Sequence, residues 1–198
     1  MKVTVYAGSA PGNRPVFAHE ARRFARELVE AGCEIVYGGG AVGLMGAVAD
    51  AALQAGGRVT GVMPRSLVHA EIAHPGLTEL HVVDSMHERK QLMADLGDGF
   101  VALPGGVGTV EEIVEVWAWL VLGHHSKPVT LLDIEGYWDR LSGMARRMAV
   151  SGFLTPEELG GFVSVTDARH FLETCASWTP PPPRWSAAPG DAAPAHLS

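Results

Sequence analysis

Two glycine clusters hold the first chemical signal in the sequence. One is Gly38-Gly39-Gly40-Ala41-Val42-Gly43-Leu44-Met45-Gly46, the other Pro104-Gly105-Gly106-Val107-Gly108-Thr109. Each follows a predicted strand and precedes a predicted helix. Glycine lets the backbone approach a ligand closely and turn its N–H groups inward, and a following helix adds its N-terminal partial positive charge. The pair predicts a site for a phosphorylated ligand, and backbone amides can hold phosphate even in an acidic protein. Gly38, Gly40 and Gly43 match G-x-G-x-x-G, yet a dinucleotide site also needs an acid roughly 20 residues on, at the end of the next strand. That strand ends at Val62-Met63-Pro64 with no acid, which disfavours NAD. Neither cluster continues into Gly-Lys-Ser/Thr, which disfavours the phosphate loop of an ATP hydrolase.

Charged residues stand next to these loops. Thr109-Val110-Glu111-Glu112 has the form of a capping box, with Thr109 as N-cap and Glu112 three residues on. That structural reading competes with a chemical one. The glycines before Thr109 expose amides that a cap does not need, and Glu111, Glu112 and Glu115 crowd the start of an otherwise apolar helix. Met86-His87-Glu88-Arg89-Lys90 is the most basic point in the middle of the chain. A solvated helix start has the same composition. The segment follows a short strand, however, so Arg89 or Lys90 comes to the same end of the sheet as the glycine loops, within reach of an anion. The nine histidines form no H-x-x-x-H or H-E-x-x-H pair, and Cys33 and Cys175 are too few and too far apart in sequence for a zinc site. No metal is expected.

The elements that must position these residues alternate. Strands are predicted at Lys2–Ala7, Glu34–Tyr37, Arg58–Met63, Leu80–Val83, Phe100–Leu103, Pro128–Leu132 and Phe162–Val165. Helices are predicted at Pro15–Ala31, Leu44–Ala55, His87–Leu96, Thr109–Leu122, Tyr137–Val150 and Ala168–Ala176. Near-continuous apolar strands separated by helices predict an α/β, Rossmann-like, doubly wound parallel sheet covered on both faces. Such sheets bind ligands at the carboxyl ends of their strands, beside a topological switch point. The helix Thr109–Leu122 is apolar nearly all round, so it is buried within the domain or covered by a second subunit. Trp178–Ser198 holds six of the 13 prolines and reads as a disordered tail or a proline-rich docking segment. Residues 1–177 read as one domain.

The 198 residues carry 15 basic and 22 acidic side chains, a net charge of −7. That balance argues against a nucleic-acid partner, whose phosphates need basic patches. There is no apolar run of membrane-span length and no signal-peptide pattern, so no membrane is expected and a cytoplasmic setting is the default.

Pro104-Gly-Gly-Val-Gly-Thr-Val-Glu-Glu112 resembles the PGGxGTxxE signature of the LOG (Lonely Guy) family, the cytokinin riboside 5′-monophosphate phosphoribohydrolases. The resemblance continues through Tyr37-Gly-Gly-Gly40, Gly43-Leu-Met-Gly46, Gly61-Val-Met-Pro64 and Met86-His-Glu-Arg-Lys90, and covers residues 1 to about 175. It implies a Rossmann-like homodimer that cleaves an N6-modified AMP, or AMP itself, to free base and ribose 5-phosphate without a cofactor. The family's catalytic arginine falls on Arg89 and its catalytic glutamate on Glu112. A substrate-contacting glutamate falls on Glu71. The phosphate and ribose loop falls on Gly105, Gly106, Val107, Gly108, Thr109, Val110, Glu111 and Glu112, and the basic pair on Arg89 and Lys90. Ser9, Gly40, Gly43 and Met86 complete the implied binding set. Two positions depart from many relatives: Ala7-Gly8-Ser9-Ala10 replaces Cys-Gly-Ser-Ser, and Ala118 replaces a threonine that bears on the base pocket.

Proteins with this signature have also been labelled lysine decarboxylases. Pyridoxal-phosphate chemistry needs a Schiff-base lysine, and the candidates are Lys2, Lys90 and Lys127, all poorly placed in sequence. A second alternative is a non-catalytic carrier or sensor of a phosphorylated ligand, which fold alone does not exclude. A carrier needs the glycine loops but has no use for a carboxylate facing an anionic ligand.

Overall fold

A computed structural model of the chain describes residues 1–68 and 73–185. The strands are β1 (Lys2–Tyr6), β2 (Glu34–Tyr37), β3 (Val59–Pro64), β4 (Glu79–Val83), β5 (Gly99–Ala102), β6 (Val129–Leu132) and β7 (Phe162–Val165). The helices are α1 (Pro15–Glu30), α2 (Gly43–Gln54), α3 (Arg65–Val68), α4 (Met86–Leu96), α5 (Val107–Leu122), α6 (Asp139–Val150), α7 (Pro156–Gly160) and α8 (Ala168–Ala176). Every strand pair is parallel, and the order is β4-β3-β2-β1-β5-β6-β7. The chain winds outward from β1 to β4, then crosses back to lay β5 on the other side of β1. The switch point of the sheet therefore lies between the carboxyl ends of β1 and β5, where open α/β sheets take ligands.

The side-chain period of two sorts the strand residues onto two cores. Val3 and Val5 of β1 and Val101 of β5 face α1, α2 and α8. Tyr6 of β1, with Phe100 and Ala102 of β5, faces α4, α5 and α6. This is the doubly wound α/β sheet that the alternation predicts. Polar groups inside the cores are bonded: Thr4 Oγ1 donates to Met93 O at 2.8 Å and ties β1 to α4.

Several local features differ from the sequence reading, the short helix α3 among them. Helix α5 begins at Val107, not Thr109. Gly106 is its N-cap, no side chain caps it, and Thr109 lies inside the first turn. The capping box that competed with the chemical reading of Thr109 and Glu112 is not formed, because the helix starts earlier, with Gly106 as its N-cap. A capping box does form at Thr155 and Glu158, and it starts the short helix α7. The segment after Trp178 is fastened as far as it is described. Trp178 Nε1 donates to Ser126 O at 2.8 Å, Arg184 N donates to Val121 O at 2.9 Å, and the Arg184 guanidinium holds both oxygens of Glu158. Residues 186–198, the rest of the expected tail, lie outside the described residues.

Candidate active site

A cavity of about 230 Å³ opens at the switch point. Its walls are Ala7 and Ser9 after β1, Met45 of α2, Met86 and Arg89 of α4, and Gly106, Val107, Gly108, Thr109, Glu111 and Glu112 of α5. Most of the sequence-predicted set is thus brought together by three connections that are remote in the chain.

Helix α4 sets Arg89. Ser85 is its N-cap and accepts from Glu88 N at 3.1 Å, while Glu88 Oε2 reaches back to Asp84 N at 2.8 Å. Arg89 N makes the first backbone bond of the helix, to Ser85 O at 3.0 Å. Its side chain then turns inward and is 9% exposed. Arg89 Nε donates to Val62 O at 3.2 Å, and Nη1 lies 3.6 Å from Glu112 Oε1. Gly38 makes room for this guanidinium: a Cβ there would lie 2.0 Å from Arg89 Nη2. A buried charge survives only when paired and hydrogen-bonded, and Arg89 is both.

Helix α5 sets Glu112. Thr109 and Glu112 are three residues apart, so they share the inward face of the first turns. Both are buried. Tyr6 lies fully buried on the same side of the sheet, and burial first, then the Glu112 and Glu115 carboxylates, push its phenol well above its ordinary pKa. That residue stays neutral beside the acids. No side chain caps the first turn of α5, and Gly106, Val107, Gly108 and Thr109 line the cavity, so the free N–H groups of a helix N-terminus stand at the cavity for an anion.

Lys90 turns the other way along α5. Its Nζ lies 2.5 Å from Glu111 Oε1 and 2.9 Å from Glu115 Oε1. Burial pulls its pKa down, but the hydrogen bonds to the two glutamates and their negative charges together outweigh that and leave it raised. Consecutive residues of α4 thus engage three acids of α5, which accounts for the crowding of acids on an apolar helix. Lys90 is not a wall of the cavity.

The other expected residues are spread. Gly105 lines an adjoining hollow with Ser9 and Gly106. Val110 lies beyond the cavity walls, and its N–H bonds Gly106 O at 3.1 Å. Gly40 accepts from Tyr37 Oη and pairs with Ala73, and Gly43 (φ +63°) packs so tightly on Ser9 that a Cβ would meet its backbone at 2.3 Å. Both shape the surrounding loops and are not cavity walls. Glu71 lies outside the described residues. Ala118 is exposed on α5, outside these walls. The sequence reading missed Gly38 as the seat of Arg89, and Ala7 and Met45 as walls. Among the described residues, no group of three or more His, Cys, Asp or Glu could hold a metal ion.

Known proteins are similar to this chain. The family described as "possible lysine decarboxylase" matches residues 45–175. A cytokinin riboside 5′-monophosphate phosphoribohydrolase of Rhodococcoides fascians is 50% identical over 155 residues, covering 78% of each chain. The Arabidopsis thaliana cytokinin riboside 5′-monophosphate phosphoribohydrolase LOG5 is 42% identical and covers 90% of this chain and 78% of its own. The chain belongs to the LOG family. Among solved structures, a molybdenum cofactor binding protein of Rippkaea orientalis superposes with a TM-score of 0.66 over 89% of this chain and 95% of its own, at 19% identity. The likeness shows a shared fold.

The decarboxylase wording of the LOG-family description finds no support in the lysines. Lys90 is held by two glutamates, Lys127 Nζ donates to Ala94 O and Asp95 O, and Lys2 opens β1 at the far end of the sheet. None faces the cavity.

Proposed function

We propose that this protein hydrolyses the N-glycosidic bond of cytokinin-type nucleoside 5′-monophosphates, N6-modified AMP or AMP itself, to free base and ribose 5-phosphate. The single observation that carries the reading is the buried Glu112 carboxylate beside Arg89, in a cavity that opens on the uncapped first turn of α5. The relatives' names point the same way.

Each part has a task. The amides of Gly106 to Thr109 take the 5′-phosphate, and that remote binding energy positions C1′. Cleavage breaks C1′–N9, leaves positive charge on the ribose and sends the bonding pair to the purine. Glu112 faces the oxocarbenium-like carbon and accepts a proton from the attacking water, whose oxygen bonds to C1′. Arg89 meets the negative charge building on the departing base, which takes up the proton that Glu112 drew from the water, so that the carboxylate is restored. No step calls for a metal or cofactor. Glu71 is kept as a substrate contact that the family resemblance implies, and Lys90, paired with Glu111 and Glu115, serves as scaffold.

The enzyme works as a homodimer in this reading. Val107, Val114, Ala118 and Leu122 are exposed along one stripe of α5, and an apolar helix face left uncovered in one chain is suited to a second copy. Sedimentation at micromolar concentration should give twice the chain mass, and a monomer at every concentration would refute this part. The free cysteines Cys33 and Cys175 suit a reducing cytoplasm, and the net charge of −7 makes nucleic acid an unfit partner.

The test is to incubate the purified protein with AMP and with isopentenyladenosine monophosphate and to assay free base and ribose 5-phosphate. Release is expected, and the ratio of rates names the preferred base. Nucleotide binding without release from either would overturn the reading in favour of a carrier.

A further inference from the structure

Three successive carbonyls of the loop between β5 and α5 each accept a hydrogen bond. Pro104 O accepts from Gly8 N at 3.2 Å, Gly106 O from Val110 N at 3.1 Å, and Gly105 O from the Tyr137 hydroxyl at 2.5 Å. In a trans peptide the carbonyl and the next N–H point in opposite directions. These bonds therefore also fix the directions of the Gly105, Gly106 and Val107 amides. The first and last donors are backbone groups and come with the fold. The middle one is a side chain.

The connection between β6 and α6 is shaped to aim that side chain. Tyr137 N donates to Ile134 O at 3.2 Å across a turn whose central residues, Glu135 and Gly136, have φ of 54° and 75°. Among the described residues Glu135 is the one non-glycine with positive φ, a conformation that residues with a Cβ avoid. Its carboxylate pairs with Arg14, and the Tyr137 ring stands edge-on to Phe17 at 5.7 Å. Both partners follow the Gly8 loop in the chain. The same contacts thus draw together the connections after β1, β5 and β6 around Gly105.

We infer that Tyr137 is a positioning residue for the anion-binding loop. Its hydroxyl sets the Gly105–Gly106 peptide so that the Gly106 amide faces the substrate's phosphate. The inference rests on the hydrolase reading for the identity of that anion alone. Tyr137 touches no reacting atom. It holds a donor in place before the substrate arrives, so binding does not have to order the loop.

Tyr137→Phe removes the hydroxyl and keeps the ring against Phe17. The side chain stands at the surface, 40% exposed, and the retained ring keeps its packing on Phe17, so the fold does not depend on the hydroxyl. The measurements are the Kd for ribose 5-phosphate, KM and kcat for the monophosphate that the wild type cleaves fastest, and the Kd for the matching nucleoside, which lacks phosphate. Kd for ribose 5-phosphate and KM should both rise about tenfold, the order expected for losing one well-placed hydrogen bond, while kcat and nucleoside affinity move much less. An unchanged Kd for ribose 5-phosphate overturns the inference. So does equal weakening of nucleoside and ribose 5-phosphate, the mark of a general structural loss. Weaker ribose 5-phosphate binding in a protein that cleaves no monophosphate even as wild type would sink the reaction and leave the role of Tyr137 standing.

Discussion

Arg89 is a buried cation with four neighbours that fix it: Val62 O, Met86 Sδ, Glu112 and the bare backbone of Gly38. The last of these gives a sharp test. In Gly38→Ala the new Cβ would meet Nη2 at 2.0 Å, so the guanidinium must leave its seat. Overpacking of this kind costs roughly 1–3 kcal/mol. The variant should fold with a lowered Tm and lose base release about as fully as Arg89→Ala. Thermal denaturation and the release assay together check this, and near-normal turnover would show that the position of Arg89 is not critical. In the sequence Gly38 reads as part of a phosphate-binding loop, because glycine beside glycine suggests backbone approach to a ligand. Which neighbour a glycine makes room for depends on a side chain from another element, 51 positions away, and composition does not carry that. Lys90 shows the same limit. It reads as an anion ligand, and its partners turn out to be Glu111 and Glu115. The acids on α5 were visible in the sequence, but their pairing depends on how α4 packs beside that helix.

At the scale of elements, the strong periodicities were legible and the weak punctuation was not. Strand β7 and helix α8 fall at Phe162–Val165 and Ala168–Ala176, as the patterns predict. The start of α5 moved because a threonine–glutamate spacing is only a capping box if the chain turns there, and Gly106 turns it earlier. Helix α7 is too short to leave a periodic signature. The chain after Trp178 was read by composition, which averages four prolines with one arginine. That arginine decides the local structure: it bonds both oxygens of Glu158, which is nearly fully buried. The Arg184 guanidinium holds the Glu158 carboxyl below its ordinary value of 4.5. A carboxyl with a lowered folded-state pKa stabilises the fold above its unfolded pKa, and that contribution is lost as pH falls through the folded value. Arg184→Ala should therefore lower Tm by several degrees at neutral pH. The gap from wild type should hold through mildly acidic pH and close below about pH 4.5. Melting curves across that range check the account, and a gap independent of pH would place the effect elsewhere.

At the scale of the molecule, the winding order explains why the candidate site lies where it does. Because β5 returns beside β1, the connections after both strands open away from each other and leave a cavity between them. The alternation of strands and helices made the doubly wound sheet legible, and the glycine clusters marked the end of the sheet that carries the site. The pairing of Arg89 with Glu112 came from the family signature, because nothing in local pattern joins α4 to α5. A pure carrier has no need of a carboxylate facing an anionic ligand, so on the proposed reading Glu112 is the residue whose loss should distinguish hydrolysis from carriage. The most direct test is Glu112→Gln, which keeps the shape and removes the charge. Base release from the preferred monophosphate should fall by about 10²–10⁴ in kcat, the range for losing a positioned acid–base group, while the Kd for ribose 5-phosphate stays near the wild-type value. Turnover that survives the substitution would contradict the assignment of the reaction to this cavity's carboxylate.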